Sequence, residues 1–188
     1  MCRFLAYAAT KPVAAADLAP ATFAEFRALS GMNADGWGMA WYGDGQSPSV
    51  ARSLQSAGDD QRFMDEASRA HGELGIVHLR SATPPLSVDL ANSHPFVFGE
   101  YAMAHNGAIY PPWGQEQIDV TAVVQMVPTE WRDRLNGTSD SAYYFKAMMA
   151  AIGAGGSVVD ACREVVGRIS SELLPTCLNT LMIAPDAL

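Results

Sequence analysis

The chain has 188 residues, of which 49% are hydrophobic and 17% are charged, a composition typical of a globular protein rather than a disordered one. The net charge of -8 excludes a nucleic-acid partner, because no basic surface is left to neutralise phosphates. Three widely spaced cysteines favour a reduced compartment, and no apolar run is long enough to cross a membrane. We therefore expect a cytoplasmic protein with one domain over residues 1–188.

The first half of the chain shows the hydrophobic patterns of strands, with two helices between them. In chain order, we predict a strand over 3–8, a helix over 21–29, a strand over 36–42, its hairpin partner over 49–54, a helix over 61–71 and a strand over 74–79. The turn signal Gly43-Asp44-Gly45 joins the two hairpin strands.

The second half of the chain contains the longer helices. We predict strands over 95–98 and 101–105, a buried helix over 139–152, an amphipathic helix over 157–171 and a last strand over 178–183. Because strands come first and helices are collected late, this order favours an α+β fold, with helices layered on largely antiparallel sheets.

Cys2 is the first candidate for chemistry. A cysteine chosen at random is usually a small buried hydrophobic residue. Removal of Met1, however, would leave Cys2 with both a thiol and a free α-amine. The amine has an unperturbed pKa of about 7.7–8.0, so part of it is neutral near pH 7 and can act as a base for its own side chain. Position 2 therefore predicts an N-terminal nucleophile.

The pair Asn106-Gly107 follows a predicted strand. Asn-Gly by itself predicts a tight turn. The side-chain amide of Asn106 and the backbone N–H of Gly107 are also two neutral donors of the kind that form an oxyanion hole. The two interpretations are compatible, because a tight turn can aim both donors at one point.

Two charged residues could bind the ends of an amino acid. Arg80 ends an apolar strand before a Pro-rich loop, and its planar guanidinium suits a carboxylate, although a lone arginine is usually a solvated surface group. Asp140 stands at a predicted helix start, where the helix dipole alone would explain an acidic residue. The four histidines lack metal-ligand spacing, and the sequence has no GxSxG, Walker A or HExxH motif.

Six short segments, taken together and in order, resemble the class II glutamine amidotransferases, a branch of the N-terminal-nucleophile hydrolases. The segments are Met1-Cys2-Arg3, Asn33-Ala34-Asp35-Gly36-Trp37-Gly38, His78-Leu79-Arg80-Ser81-Ala82-Thr83, Asn92-Ser93-His94-Pro95-Phe96, His105-Asn106-Gly107 and Gly137-Thr138-Ser139-Asp140. The small size and the second segment resemble a stand-alone branch that includes the γ-glutamyl hydrolase of ergothioneine biosynthesis. Family members usually continue beyond the last predicted strand, so we expect a compact or C-terminally short member.

The resemblance implies an αββα four-layer sandwich, in which two antiparallel sheets lie between helical layers. It also implies that Cys2 is the nucleophile, that its α-amine is the base, and that Asn106 and Gly107 form the oxyanion hole. No cofactor and no metal are implied.

The resemblance further implies a substrate pocket that recognises the amino-acid end of glutamine. Arg80 would bind the α-carboxylate and Asp140 the α-ammonium, and this opposite-charge pair makes physical sense. Thr83 and His94 would line the same pocket.

Three functions are compatible with these residues. The first is hydrolysis of the side-chain amide of glutamine, or of a γ-glutamyl amide, through a γ-glutamyl thioester on Cys2. The second is a glutaminase subunit that delivers ammonia to a separate synthetase, which is then its partner. A homodimer is the other protein partner that we expect. The third is an inactive scaffold, against which the intact Cys2, Arg80, Asn106 and Asp140 argue. The sequence does not identify the leaving group of the amide.

Overall fold

A computed structural model describes residues 2–43, 45, 47–82, 87–109, 120–173 and 177–185. The chain folds as two compact units. The first comprises residues 1–83, 88–106 and 180–188, and the second comprises residues 84–87 and 107–179. The expectation of a single domain over 1–188 stays a prediction.

The first unit contains a four-stranded antiparallel sheet. Its strands are β1 (Arg3–Ala14), β2 (Trp37–Tyr42), β3 (Ser49–Ser53) and β4 (His71–Leu79), in the order β1-β4-β2-β3. The hairpin β2–β3 was predicted, whereas β1 continues beyond the predicted end at Ala8, after an irregularity in its pairing with β4. Leu79 pairs with both Arg3 and Trp37, so the starts of β1 and β2 lie beside the end of β4.

Three short helices cover one face of this sheet. They are α1 (Ala15–Leu18), α2 (Pro20–Ala28, followed by a 3-10 turn) and α3 (Gln61–Arg69). Helix α3 begins after Asp60, whose carboxylate accepts hydrogen bonds from the N–H of Arg62 and from the indole of Trp37. Trp37 also packs edge-on against Phe63, with ring centroids 5.4 Å apart. The contacts of Trp37 with Asp60 and Phe63 therefore fix both the start of α3 and its packing against the sheet.

A second, three-stranded sheet has the order β5-β6-β7, formed by β5 (Phe96–Phe98), β6 (Tyr101–Ala108) and β7 (Cys177–Ile183). β5 and β6 form an antiparallel hairpin whose turn contains Gly99 with a positive φ of 57°. Buried side chains of both sheets form one hydrophobic cluster. It combines three alanines, each at most 1% exposed, with larger residues: Ala40, Ala102, Ala104, Tyr42, Ile76 and Ile183.

The second unit is mainly helical. Its helices are α4 (Thr121–Met126), α5 (Thr129–Arg132), α6 (Asp140–Gly153) and α7 (Val158–Glu172). Helix α6 is buried along most of its length, and the amphipathic helix α7 packs against it with Ala161, Val165 and Ile169 buried. Both begin after a serine whose hydroxyl accepts a backbone N–H of the first turn. Helices α4 and α5 were not predicted from the sequence, because they are short and contain β-branched residues.

These elements confirm the expected fold class, an α+β protein with two antiparallel sheets and helices. Helices of the length and apolarity needed to cross a membrane are absent from the described part of the chain.

Candidate active site

Cys2 lies where three strand ends meet. It directly precedes β1, and the pairing of Arg3 with Leu79 places Cys2 beside the residues that follow β4. The sulfur is 3.4 Å from both the backbone nitrogen and the carbonyl oxygen of Ser81, so the thiol can accept one hydrogen bond and donate another. The side chain is half-buried. The sheet thus holds this thiol against fixed backbone rather than in a mobile tail.

The carbonyl group of Cys2 is held from two sides. The side-chain amide nitrogen of Asn106 donates a hydrogen bond to it at 3.0 Å, and the guanidinium of Arg3 donates another at 2.9 Å. Asn106 belongs to β6, so this bond joins the second sheet to the start of the first. A side-chain amide has two N–H groups, and Asn106 can therefore hold Cys2 and still donate to a second acceptor.

Burial raises the pKa of the Cys2 thiol, because a thiolate loses hydration when it is taken out of water. The N–H of Ser81 and the positive charge of Arg80 oppose this rise by stabilising the anion. Burial has the larger effect, so the neutral thiol is favoured. A nucleophile in this environment needs a nearby base to remove its proton.

Arg80 is buried, with 6% of the residue exposed, next to this thiol. Its guanidinium donates weak hydrogen bonds at 3.5 Å to the carbonyl of Asp89 and to the hydroxyl of Ser93. Burial lowers the pKa of Arg80, while the nearby Cys2, Asp89 and Asp35 raise it. Arginine stays protonated under such shifts, so this position carries a positive charge in a largely dry environment.

The backbone around Arg80 is fastened to the loop that precedes β2. The N–H of Arg80 donates to the carbonyl of Gly36 at 2.8 Å, and its carbonyl accepts from the N–H of Asp35 at 3.2 Å. The carboxylate of Asp35 in turn accepts from the N–H of Ala82 at 2.8 Å. Gly36 has a φ of 125°, and a Cβ there would collide with the carbonyl of Ser53, so glycine is required.

The backbone of His94 lies against a second glycine, Gly38 of β2. Gly38 belongs to a row of paired residues that crosses the four strands of the first sheet: Phe4, His78, Gly38 and Arg52. A Cβ on Gly38 would collide with the carbonyl of His94, so glycine allows the loop before β5 to lie directly on β2.

His78 and His94 form a buried pair of imidazoles. Their ring centroids are 4.6 Å apart, and within the described residues none of their four ring nitrogens has a hydrogen-bond partner. Burial is the main cause that lowers the pKa of His78 to about 3 and the pKa of His94 well below its usual value of 6.5. Both rings are therefore neutral at physiological pH.

The remaining expected site residues fall outside the described part of the first unit. Gly107 and Asp140 belong to the second unit, where Asp140 is 3% exposed and its Oδ2 accepts the backbone N–H of Ile109 at 2.9 Å. Thr83 lies outside the described residues. The first unit thus brings together Cys2, Arg80 and Asn106, with His94 beyond the Ser93 contact of Arg80.

Sequence reasoning missed several residues that shape this site. Ser81 and Asp35 stood inside the matching segments without a role. Ser81 acts through its backbone, and the carboxylate of Asp35 accepts the N–H of Ala82, a tertiary contact that residue type does not reveal. His78 was overlooked because it sits within an apolar strand. Its neighbour Arg80 was the available signal, since polar residues at the end of a buried strand often face a site. Within the described residues, no group of three or more His, Cys, Asp or Glu side chains is arranged to hold a metal ion.

The chain belongs to the class II glutamine amidotransferases, because residues 1–173 match the model of the family described as "Glutamine amidotransferases class-II". The enzyme class expected from the sequence, an N-terminal-nucleophile amidohydrolase, is confirmed by this membership.

Two curated relatives carry the same name. The γ-glutamyl-hercynylcysteine sulfoxide hydrolase of Mycobacterium tuberculosis is 33% identical over 78 residues, which are 42% of this chain and 33% of the relative. The protein of that name from Mycolicibacterium smegmatis is 28% identical over 113 residues, which are 57% of this chain and 50% of the relative. The matched region therefore spans only a third to a half of these relatives.

Solved structures share the fold at low sequence identity. A glutamine aminotransferase class-II domain protein from Silicibacter pomeroyi matches with a TM-score of 0.66 and 18% identity, over 98% of this chain and 73% of the other. The allosteric regulatory enzyme of purine biosynthesis matches with a TM-score of 0.68 and 17% identity, over 97% of this chain and 35% of the other. At such identities the likeness shows the fold alone.

Proposed function

We propose that this protein hydrolyses a γ-glutamyl amide bond with Cys2 as the nucleophile, and that the α-amine of Cys2, freed by removal of Met1, is the base. The observation that carries the proposal is the arrangement of Cys2 in the first unit: its thiol lies on the backbone of Ser81, and its carbonyl accepts the side-chain amide of Asn106. Membership of the class II glutamine amidotransferases supports it, as do the hydrolase names of two curated relatives.

The proposed reaction proceeds in two halves. The sulfur of Cys2 attacks the side-chain carbonyl carbon while the α-amine takes up the thiol proton. The new oxyanion is stabilised by the side-chain amide of Asn106 and the N–H of Gly107. The amine then protonates the leaving nitrogen, the C–N bond breaks, and ammonia or an amine departs from a γ-glutamyl thioester. Water then adds to the thioester carbonyl while the α-amine takes up one of its protons. The C–S bond breaks to release glutamate, and this proton passes from the amine to the sulfur and restores the thiol.

We propose that the amino-acid end of the substrate is recognised by charge. The buried guanidinium of Arg80 suits the α-carboxylate, because a desolvated planar donor binds carboxylates strongly. Asp140 is assigned to the α-ammonium, and Thr83 and His94 are assigned to the pocket lining. Neutral His94 adds no charge that would compete with Arg80.

The nucleophile is tested by mass spectrometry and labelling. The intact mass of the purified protein should lack one methionine residue. A diazoketone analogue of glutamine should label Cys2 and leave Cys162 and Cys177 unmodified, because only the thiol of Cys2 would have its own α-amine beside it as a base. Cys2→Ser should retain little activity and Cys162→Ser should retain all of it. Full activity with Met1 retained, or in Cys2→Ala, would overturn the N-terminal-nucleophile mechanism.

The substrate is tested with a panel of amides. L-Glutamine, L-γ-glutamyl-p-nitroanilide and γ-glutamyl dipeptides share the glutamyl end and differ in the leaving group. Hydrolysis of the larger amides by the isolated chain is the expected result. Activity on glutamine that appears only when a synthetase is added would support the second candidate, an ammonia-delivering subunit. The purine-biosynthesis structure motivates that comparison, because this chain covers only 35% of it.

A further inference from the structure

Asp140 makes a contact that recognition of a substrate ammonium would not require. Its buried carboxylate accepts the backbone N–H of Ile109 at 2.9 Å within the second unit. Asp140 is the first residue of α6, and Ile109 directly follows β6. The start of a long helix therefore fastens the chain just past the end of a strand.

The carboxylate itself is rigidly placed. The hydroxyl of Ser139 caps α6, which fixes the turn that carries Asp140. On the other side of that turn, the ammonium of Lys146 donates to the carbonyls of Arg132 and Gly137 at 2.8 and 2.9 Å. Lys146 is 2% exposed, so these bonds are sheltered from water. Contacts from the segment before α6 and from the helix itself thus fix the position of Asp140.

Ile109 stands two residues beyond Gly107. In an extended chain, N–H groups two residues apart point to the same side of the strand, so a bond at Ile109 restrains the direction of the Gly107 N–H. We propose that Asp140 is a positioning residue for Gly107, the oxyanion donor, whatever contact it also makes with substrate. This inference rests on the proposed function, in which Gly107 stabilises the oxyanion.

The two roles of Asp140 leave different kinetic signatures. Loss of a ground-state contact with the α-ammonium raises KM and requires a substrate that has an ammonium group. A misdirected oxyanion donor lowers kcat with any amide, because its bond strengthens in the transition state. A substrate without the α-amine therefore separates the roles.

The experiment compares L-γ-glutamyl-p-nitroanilide with glutaryl-p-nitroanilide, which has the same amide and carboxylate but no α-amine. We expect Asp140→Ala to lower kcat about 10–100-fold with both compounds. Asp140→Asn should recover most of that loss with the glutaryl compound, because its side-chain oxygen still accepts the Ile109 N–H. Asp160→Ala, which removes an exposed carboxylate from the first turn of α7, is the matched control and should change neither kcat nor KM.

A second measurement does not depend on activity. Hydrogen exchange of the Ile109 amide, followed by NMR, should speed up at least tenfold in Asp140→Ala and stay unchanged in Asp140→Asn and Asp160→Ala. An unchanged kcat of Asp140→Ala with the glutaryl compound, or unchanged exchange at Ile109, overturns the positioning role alone. A wild-type protein that hydrolyses no γ-glutamyl amide of the panel overturns the proposed function and this inference with it.

Discussion

At the scale of single residues, the environment of Cys2 favours a neutral thiol and at the same time prepares for an anion. Burial raises the pKa of the thiol, yet the N–H of Ser81 and the positive charge of Arg80 favour the thiolate. Fixed groups of this kind need no reorganisation when negative charge appears on the sulfur.

Replacement of Arg80 by lysine tests the proposed substrate grip. Lys keeps the charge but loses the planar fork, so kcat/KM for L-γ-glutamyl-p-nitroanilide should fall about tenfold or more, in line with the loss of one charge-assisted hydrogen bond. Arg69→Lys, on an arginine with a 74% exposed side chain, should have no effect in the same steady-state assay. An Arg80→Lys variant with wild-type kinetics would show that Arg80 does not bind the substrate.

Replacement of Asn106 by alanine tests the oxyanion donor. The variant should lower kcat about 10²–10³-fold with a smaller change in KM, because the bond is made mainly in the transition state. Part of the loss will come from Cys2, whose carbonyl is held by the same amide. Asn179→Ala, at an exposed position of β7, is the control. A pure increase in KM would instead indicate a ground-state or purely structural role.

The candidate residues of the site could be selected from the sequence, whereas the contacts that hold them in place could not. Cys2, Arg80 and Asn106 could be selected because each has an unusual position or neighbour, and the structure brings these three together. The contacts that hold them could not be predicted, since Ser81 acts through its backbone and Asp35 through a bond 47 residues away in sequence. The bond from Ile109 to Asp140 also depends on a tertiary contact that no local pattern encodes.

At the scale of elements, strand ends position the described site residues of the first unit. The starts of β1 and β2 meet the end of β4 at Leu79, and this meeting point positions Cys2. Element ends carry backbone groups that regular pairing leaves unused, and these groups supply the fixed donors and acceptors of the site. Lys146 shows the same principle within the second unit, because one ammonium group satisfies two loop carbonyls.

Lys146→Met should destabilise the protein. The substitution leaves the carbonyls of Arg132 and Gly137 without their donor and removes a cation–π contact with Tyr143 at 4.4 Å. Since an unsatisfied buried group costs about 1–3 kcal/mol, we expect the free energy of unfolding in urea to fall by about 2 kcal/mol or more. Lys11→Met alters the one other lysine, which is exposed, and should change stability by less than about 0.5 kcal/mol. Equal effects of the two substitutions would contradict this role.

Most of the longer elements were predictable, because hydrophobic period and turn residues decide them locally. The helix over 139–152 and the hairpin over 49–54 were placed within one residue of α6 and β3. The extension of β1 to Ala14 was not predictable, since its polar and exposed end is held by pairing with β4 rather than by an alternating pattern. The register of distant strands, such as Arg3 opposite Leu79, also depends on the packed sheets and not on either segment alone.

At the scale of the whole molecule, the paired histidines link stability to pH. His78 and His94 are neutral in the folded protein, and burial holds both pKa values below 6.5. Once the chain unfolds, the pKa of each imidazole returns to about 6.5, so each imidazole takes up a proton in weak acid. Between about pH 3 and pH 6.5 the unfolded chain therefore binds more protons than the folded one, and the free energy of unfolding falls as the pH falls.

This linkage predicts a measurable slope. Each histidine should contribute about 1.4 kcal/mol of lost stability per pH unit once the pH is well below 6.5, and no loss above it. His78→Met removes one such group. Urea unfolding between pH 6.5 and pH 5 should therefore show a slope that is flatter by about 1 kcal/mol per pH unit, whatever the stability at pH 7, because the unfolded imidazole is only half protonated at pH 6.5. His71→Gln, which removes an exposed histidine, should leave the slope unchanged. Parallel slopes for wild type and His78→Met would contradict the linkage.

The place of Cys2 just before an edge strand has a practical consequence for heat resistance. β1 stands at one end of the sheet order, and hydrogen bonds from Ser81, Asn106 and Arg3 keep the preceding Cys2 in place. Each such bond contributes about 1 kcal/mol, and strand ends open more readily than the core melts. Fraying of one strand end should thus set the upper working temperature of the enzyme. Activity should decline reversibly on warming while circular dichroism still reports an intact fold.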